Sequence, residues 1–203
     1  GTNDESQIFS NCFIINEYKT TMKYVKTAIH IFLVQLVSHL LSSSTLLFRS
    51  FIDSISFSIL FSTTLSPYFN LAILSRGYGR KTKGFIHLRP HHSASEVGDE
   101  PLLIYKRNPN TFVAVCEERN KGVENILKDS PKTNLIILDD AYQHRYINRD
   151  INILLTEYNR PFFKDRVIPY GRLREYRKGY KRASYIVVTK CPPLNEKQKQ
   201  DFV

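Results

Sequence analysis

The sequence predicts an α/β fold with a mostly parallel sheet for residues 71–203. Short apolar runs rich in β-branched residues recur along this part of the chain, and such runs are typical of strands buried on both faces. Polar or helical stretches separate them, which is the βαβ pattern of a parallel sheet. The expected strands are Leu71 to Leu74, Thr111 to Cys116, Leu135 to Leu138, Ile151 to Leu155 and Tyr185 to Thr189.

The composition fits a soluble globular protein with anionic partners. The chain has 203 residues, of which 42% are hydrophobic and 24% charged, and this is enough to bury the core of one domain. Its net charge of +10 is compatible with phosphorylated substrates, phospholipid surfaces and nucleic acid. The cysteines, Cys12, Cys116 and Cys191, are scattered and form no metal-type pair, so we expect a reducing compartment.

Residues 1–70 differ in pattern from the rest, and we interpret them as a divergent N-terminal segment that is frame-shifted or poorly ordered. From Ala28 to Phe61 the chain is rich in Ser, Leu and Phe, with neither a clean helical nor a clean strand period. Ala28 to Phe48 is long enough to cross a bilayer, but two histidines, a glutamine and four serines weaken that interpretation. No signal-peptide pattern is visible.

A basic, glycine-rich loop, Ser75 to Phe85, follows the first expected strand of the core. Such a loop can wrap a phosphate with its backbone N–H groups and cationic side chains. A basic surface turn is the alternative. The loop is not a P-loop, because the spacing Gly-x-x-x-x-Gly-Lys-Ser/Thr occurs nowhere in the chain.

Two carboxylates, Asp99 and Glu100, precede Pro101, which is placed to begin a helix with Asp99 near its N-cap. One interpretation is helix capping alone, and the other makes one carboxylate a general base. A second helix is expected from Glu117 to Asp129, because its apolar residues fall on one face.

An acidic pair, Asp139 and Asp140, follows the strand Leu135 to Leu138. Ligands of open α/β sheets bind at the carboxyl ends of the strands. Carboxylates at such an end commonly hold Mg²⁺ in phosphate-transfer sites, because hard cations prefer oxygen ligands. A solvated acidic turn is equally compatible with these residues. Further along, a strand-turn segment from Val167 to Glu175 is expected to deliver two arginines and a glutamate together.

Four segments, in this order, resemble the tetraacyldisaccharide 4'-kinase family, the lipid A biosynthesis enzymes of Gram-negative bacteria. They are Ser75 to Phe85, Gly98 to Pro101, Leu138 to Arg145 and Pro169 to Glu175. The resemblance covers about residues 71–203. The form of the last segment and of Thr189-Lys-Cys-Pro is similar to the Bacteroidetes branch.

The resemblance implies a partial P-loop-NTPase-like α/β/α sandwich that transfers the γ-phosphate of ATP to the 4'-hydroxyl of tetraacyldisaccharide 1-phosphate, giving lipid IVA. It implies ATP and Mg²⁺ as cofactors. The expected partners are the lipid A precursor disaccharide at the membrane surface and anionic phospholipid, and nucleic acid is not expected. The implied location is cytoplasmic, peripheral on the inner face of the inner membrane.

The resemblance also assigns residues. Asp99 matches the catalytic base that takes the proton of the 4'-hydroxyl, and Asp139, Asp140 and Glu175 match the metal site. The expected substrate-binding residues are Arg76, Gly77, Tyr78, Arg80, Glu100, Gln143, His144 and Arg174. Positioning and charge neutralisation dominate phosphoryl transfer, so this set suits the chemistry.

The sequence departs from the family in two places. The P-loop should lie about thirty residues before Ser75, and the chain ends before the family's C-terminal domain would finish. We hypothesise that about residues 27 to the high 60s are a frame-shifted translation, because codon degeneracy permits a Gly-rich run ending in Gly-Lys-Ser-Pro there. The adjacent histidines His91 and His92 lie in the wrong place to replace the family's C-terminal histidine.

Impaired activity is therefore expected, and three alternatives stay open. One is an inactive fragment of the kinase. Another is a basic nucleic-acid-binding module that uses Arg76 to Arg89 and Arg172 to Lys181, although it lacks the regular aromatic residues of a stacking platform. The last is a small integral-membrane protein anchored by Ala28 to Phe48.

Overall fold

The computed structural model describes residues 10–15 and 54–192, together with residues 194, 195, 197, 198 and 200. Its strands are β1 (Ser10–Ile15), β2 (Leu71–Ser75), β3 (Ile86–His87), β4 (Phe112–Val115), β5 (Leu135–Asp139), β6 (Ile151–Glu157) and β7 (Tyr185–Thr189). Its α-helices are α1 (Ser54–Leu65), α2 (Ala94–Val97), α3 (Asp99–Arg107) and α4 (Arg119–Asp129). Short 3₁₀ turns cover Phe162–Lys164 and Arg177–Arg182.

The described strands form one sheet in the order β3-β4-β2-β5-β1-β6-β7. β2 is parallel to both β4 and β5, and β6 is parallel to β7. β1 is antiparallel to β5 and β6, and β3 is antiparallel to β4. The expectation of an α/β fold with a mostly parallel sheet is confirmed.

Helices cover both faces of this sheet. On β2, Ile73 contributes to the core on one face, together with Leu65 of α1 and Ile104 of α3. The next residue, Leu74, contributes to the core on the other face with Ile126 of α4. Alternate residues of a strand point to opposite faces, so two helical layers bury both sides of an apolar strand.

Most expected elements occur within one or two residues of their expected ends, with two corrections. The N-cap of α3 is Gly98, so Asp99 lies next to the cap as expected, but Pro101 is the third helical residue rather than the first. Val167 to Glu175 contains no strand, only an isolated bridge between Val167 and Leu173. This segment closes a local loop instead, because the Leu173 N–H donates to the carbonyl of Arg166 at 2.9 Å. Backbone groups that bond within a loop are not available to a neighbouring strand.

Two described elements precede residue 71, and both belong to the same fold as the core. β1 lies between β5 and β6 in the sheet, and Leu65 of α1 is fully buried. The division of the chain at residue 70 stays a prediction. In the part of the chain that the structure covers, no helix is long and apolar enough to cross a membrane, and Ala28 to Phe48 lies outside that part.

The burial of Leu65 leads to a test of whether α1 is part of the cooperative fold. We expect Leu65→Ala to lower the free energy of unfolding by about 2–5 kcal/mol, because the truncation leaves a cavity in the core. The measurement is urea denaturation monitored by circular dichroism. The same substitution at Leu103, which is 42% exposed, is the control and should cost less than about 1 kcal/mol. Equal, small effects at both positions would mean that α1 does not pack as described.

Candidate functional site

The candidate site lies at the edge of the sheet where β2 and β5 both end. These strands are parallel neighbours, so Ser75 and Asp139, their last residues, lie at the same edge. The Asp139 carboxylate is 2% exposed. Ser58 of α1 donates a hydrogen bond to its Oδ1 at 2.8 Å, and Ser75 donates one to its Oδ2 at 3.3 Å. The carboxylate therefore joins α1, β2 and β5.

Burial is the main cause that raises the pKa of Asp139, to about 6. The neighbouring charge of Asp140 raises it further, while the hydrogen bond from Ser58, the charge of Arg119 and the bond from Ser75 act in the opposite direction. A carboxyl group whose surroundings raise its pKa by this much is typical of a functional site, although structural networks of charged groups produce such shifts too.

Arg119 holds the backbone next to this carboxylate, a role that no sequence pattern indicated. Its guanidinium is buried and donates to the carbonyl of Cys116 at 2.9 Å and to the carbonyl of Asp139 at 3.0 Å. Burial lowers the pKa of Arg119 to about 10, against the opposing charges of Asp139 and Asp140. Arg119 thus fixes the ends of β4 and β5 and places a positive charge beside the acidic pair.

Asp140 follows β5 in a left-handed backbone conformation with φ of 44°. Such a conformation is uncommon for residues other than glycine and recurs at functional sites. Its Oδ2 forms an ion pair with Arg174 Nη1 at 2.8 Å. Its Oδ1 is buried and has no hydrogen-bond partner within the described part of the chain.

The adjacent carboxylates fit a magnesium ion, as tested by that buried, unpartnered Oδ1. Mg²⁺ in phosphate-transfer sites is held by one or two carboxylates together with substrate phosphates. An oxygen excluded from water and without a donor lacks the partner that a cation would supply. The donor set of Asp139 and Asp140 therefore has the chemistry that a magnesium ion requires.

Glu175, the third expected metal-binding carboxylate, pairs with arginines in this structure, and its place in the metal site stays a prediction. Its two oxygens form ion pairs with Arg145 Nη2 at 2.8 Å and with Arg182 Nη2 at 2.5 Å. Across the described ranges, no three acidic, His or Cys side chains come close enough to hold a metal ion together. Each oxygen of Glu175 thus pairs with a guanidinium group, and charge-assisted hydrogen bonds of this kind are strong.

The basic loop meets the N-terminus of α3 through two glycines. A Cβ on Gly98 would lie 3.0 Å from the carbonyl oxygen of Tyr78, and one on Gly77 would lie 2.9 Å from that of Val97. Both glycines have positive φ, 71° at Gly77 and 94° at Gly98, which L side chains rarely adopt. This close approach sets Asp99 beside the loop that begins at Ser75, and both Asp99 and Glu100 are exposed in the first turn of α3.

Arg80, expected to bind substrate, has partners within the fold in this structure, and its role stays a prediction. It pairs with Glu117, its side chain is only 4% exposed, and Glu117 also accepts the backbone N–H of Gly84 at 2.9 Å. Arg80 therefore closes the basic loop onto the end of β4. Arg76 and Tyr78 of the same loop are exposed.

The loop after the acidic pair carries Gln143 and His144, both half-buried. Burial lowers the pKa of His144, and the nearby charges of Arg119 and Arg76 lower it further. His144 is thus neutral near pH 7 and lies close enough to Arg76 to feel its charge. Arg149 holds the loop by donating to the carbonyl of Ala141 at 2.8 Å.

Asp165, another residue that sequence reasoning missed, shapes the loop that delivers Arg174. Its Oδ1 accepts the backbone N–H of Arg166 at 2.8 Å and of Arg172 at 3.4 Å. A Cβ on Gly171 would lie 2.2 Å from the carbonyl oxygen of Arg166, so only glycine fits this turn. The Asp-x₅-Gly spacing carries no motif that would have identified it.

The described contacts connect five of the predicted site features in sequence, and their joint role stays a prediction. Asp99 lies beside the basic loop, the basic loop begins at Ser75, and Ser75 donates to Asp139. Asp140 then connects to Arg174. Chemically, this edge offers an exposed carboxylate, a partly buried acidic pair and several arginines, which together suit anionic ligands and a cation.

The chain is similar to known proteins. The family model described as Tetraacyldisaccharide-1-P 4'-kinase matches residues 58–202. A tetraacyldisaccharide 4'-kinase of Cytophaga hutchinsonii is 55% identical over 125 residues, covering 61% of this chain and 36% of the relative. One of Flavobacterium psychrophilum is 49% identical over 128 residues, covering 63% and 37%. A crystal structure of LpxK from Aquifex aeolicus in complex with ATP has a TM-score of 0.62 and 36% identity, covering 70% of this chain and 47% of that one.

The chain spans about a third of the length of the curated relatives that it matches. The family match begins at residue 58, inside the segment for which we hypothesised a shifted reading frame. Residues 27–53 of that segment lie outside the described residues. The hypothesis of a shifted frame stays a prediction.

The raised pKa of Asp139 predicts how stability depends on pH. Burial favours the protonated form in the folded state, so stability should fall as pH rises from about 4 through 6 and stay low above it. Asp139→Asn removes the charge and should raise the free energy of unfolding at pH 7.5 by up to about 3 kcal/mol. It should also flatten the dependence, as measured by urea denaturation in EDTA. Asp129→Asn, at an exposed position, should keep the wild-type profile, and so would Asp139→Asn if the carboxylate were solvated.

The two hydrogen bonds of Arg119 predict a second effect on stability. Arg119→Met keeps the volume but leaves two buried carbonyl groups without their donor, and we expect a loss of about 1–3 kcal/mol. The pKa of Asp139 should rise further, because an opposing positive charge is removed. Urea denaturation over a pH series measures both. Arg107→Met, at an exposed position, should change neither, and an unchanged pH profile in Arg119→Met would contradict the coupling.

Proposed function

The chain belongs to the tetraacyldisaccharide-1-P 4'-kinase family, and on that premise we propose that the whole protein transfers the γ-phosphate of ATP to the 4'-hydroxyl of tetraacyldisaccharide 1-phosphate. The observation that carries the proposal is the arrangement at the end of β5. There, Asp140 Oδ1 is buried and has no hydrogen-bond partner among the described residues. Arg174 pairs with Asp140, and Asp99 lies beside the basic loop that follows the neighbouring β2. A kinase needs this combination of a cation site, cations for phosphate and a base.

Asp99 is the general base of the proposal. It is exposed at the start of α3, and the contact between Gly77 and Gly98 holds it beside the basic loop. A carboxylate at an exposed position can accept the 4'-hydroxyl proton as the oxygen attacks phosphorus. Arg76 and Tyr78, exposed on the same loop, are placed to bind the phosphorylated sugar.

Arg174 and the acidic pair act on the nucleotide side. Asp139 and Asp140 would hold Mg²⁺, which when bound neutralises charge on the nucleotide phosphates. The ion pair between Arg174 and Asp140, at 2.8 Å, keeps a positive charge at the same place. An arginine there can exchange its carboxylate partner for a phosphate oxygen, since both accept two N–H groups in the same geometry.

We propose that this chain lacks the P-loop that binds the nucleotide phosphates. In P-loop kinases, the loop after a central strand binds the β- and γ-phosphates with its backbone N–H groups. The spacing Gly-x-x-x-x-Gly-Lys-Ser/Thr occurs nowhere in the sequence, so we propose weak nucleotide binding and negligible turnover for the 203 residues alone.

The remaining parts of the proposal concern the setting of the reaction. The substrate is a lipid, so we propose a cytoplasmic protein that works on the inner face of the inner membrane and contacts anionic phospholipid. The net charge of +10 supports this, because a basic protein is attracted to an anionic leaflet.

A chimera tests whether this chain carries competent catalytic residues. In the Cytophaga hutchinsonii relative, the segment that aligns with this chain is replaced by the matching residues of this chain, so that the relative supplies its remaining length. We expect the chimera to transfer phosphate from ATP to tetraacyldisaccharide 1-phosphate. Asp99→Asn in the chimera should lower kcat by about 100-fold or more with little change in ATP binding, because only proton removal is lost.

Asp129→Asn in the same chimera is the matched control and should leave kcat unchanged. A folded chimera that binds ATP without transferring phosphate would contradict the proposal. So would an Asp99→Asn chimera with full activity, since the base would then lie elsewhere.

A further inference from the structure

The strongest feature outside the candidate site is a surface formed by residues 163–182, which we call the loop surface. Five of the ten exposed large hydrophobic side chains among the described residues belong to it. Ile168 is 61% exposed, Tyr170 84% and Tyr176 81%. Isolated exposed apolar side chains are ordinary, but a cluster of this kind marks an interaction surface.

The same surface is strongly cationic. Residues 163–182 contain eight Lys and Arg and two acidic residues, a net charge of +6 out of the +10 of the chain. Both acidic side chains have partners inside the fold. Asp165 pairs with Arg160, and Glu175 pairs with Arg145 and Arg182, so the outward charge is positive.

The apolar and cationic side chains meet around one cleft of about 1150 Å³. Its lining combines Ile168, Tyr170 and Tyr176 with the cations Arg166, Arg177 and Lys178. Glu175 and its partner Arg145 also line the cleft. Glu175 directly follows Arg174, which pairs with Asp140, so the cleft adjoins that ion pair.

We propose that the loop surface docks on an anionic phospholipid bilayer, with a lipid headgroup phosphate in the cleft and Ile168, Tyr170 and Tyr176 in the interfacial layer. The inference deepens the proposed function and rests on it for the choice of a lipid partner. It assigns membrane contact to a described part of the core, next to the edge that carries the candidate site.

The chemistry of the surface matches that partner. Tyrosine prefers the membrane–water interface, where the ring lies among headgroups and the hydroxyl stays hydrated. Arginine and lysine bind lipid phosphates and are attracted to an anionic leaflet. A surface that binds nucleic acid would also be cationic, but an exposed aliphatic side chain such as Ile168 does not contribute to phosphate binding or base stacking. The adjacent site would then face the leaflet in which a lipid substrate lies.

The chain contains no tryptophan, so a single introduced tryptophan reports on its own position. Three variants of the full chain are compared, Tyr170→Trp, Tyr176→Trp and the control Tyr68→Trp, which alters a tyrosine that is 75% exposed outside the loop surface. Each is mixed with phosphatidylcholine vesicles with or without phosphatidylglycerol. The readouts are the fluorescence emission maximum and quenching by brominated lipid.

We expect a blue shift and quenching at positions 170 and 176 in anionic vesicles, and neither at position 68. Because the readout is specific to a position, vesicle binding through residues 1–53 would not imitate this result. No response at positions 170 and 176 would overturn the proposal. Equal responses at all three positions would also overturn it, since adsorption would be unspecific, and so would a response to an oligonucleotide but not to vesicles.

A charge variant tests the cationic half of the argument. Arg166→Gln combined with Lys178→Gln, in the Tyr170→Trp background, should lower the partition coefficient onto anionic vesicles by about 10-fold or more. Lys128→Gln with Lys132→Gln removes equal charge from exposed positions outside the loop surface and should have a much smaller effect. Equal effects of the two pairs would overturn the localisation. The vesicles contain neither nucleotide nor disaccharide, so an inactive chimera and a failure of docking are distinguishable.

Discussion

The buried carboxylate of Asp139 is the constraint on which the rest of this structure depends. It ends the central β5 and accepts hydrogen bonds from Ser58 of α1 and Ser75 of β2. Arg119 reinforces the same point through the backbone. The fold loses some stability there, because a carboxylate prefers water, and this is how a protein keeps a charged group ready for a cation.

Around that carboxylate, positive and negative groups neutralise each other in pairs. Arg174 pairs with Asp140, and two arginines pair with Glu175. A phosphate ligand has the same sign of charge and a similar geometry to a carboxylate, so these arginines suit both partners. The site is therefore stable without ligands, yet its cations can change partner without leaving the edge of the sheet.

The direction of the strands explains why this edge of the sheet carries the candidate site. The parallel strands β2 and β5 deliver their carboxyl ends, with the residues that follow them, to one place. β1 is central but antiparallel, so it brings its amino end to that place.

The sequence by itself determined the α/β class, the positions of the core strands, the acidic pair and the family, because these depend on local patterns and short motifs. Tertiary structure alone decided which charged residues are free. Arg80 pairs with Glu117 across 37 residues, and Arg145 pairs with Glu175 across 30. The role of Arg119 likewise depends on tertiary structure, because its buried guanidinium donates to the carbonyl of Asp139 at the end of β5. Ion pairs form between chain segments that the fold brings together, and no local pattern contains that information.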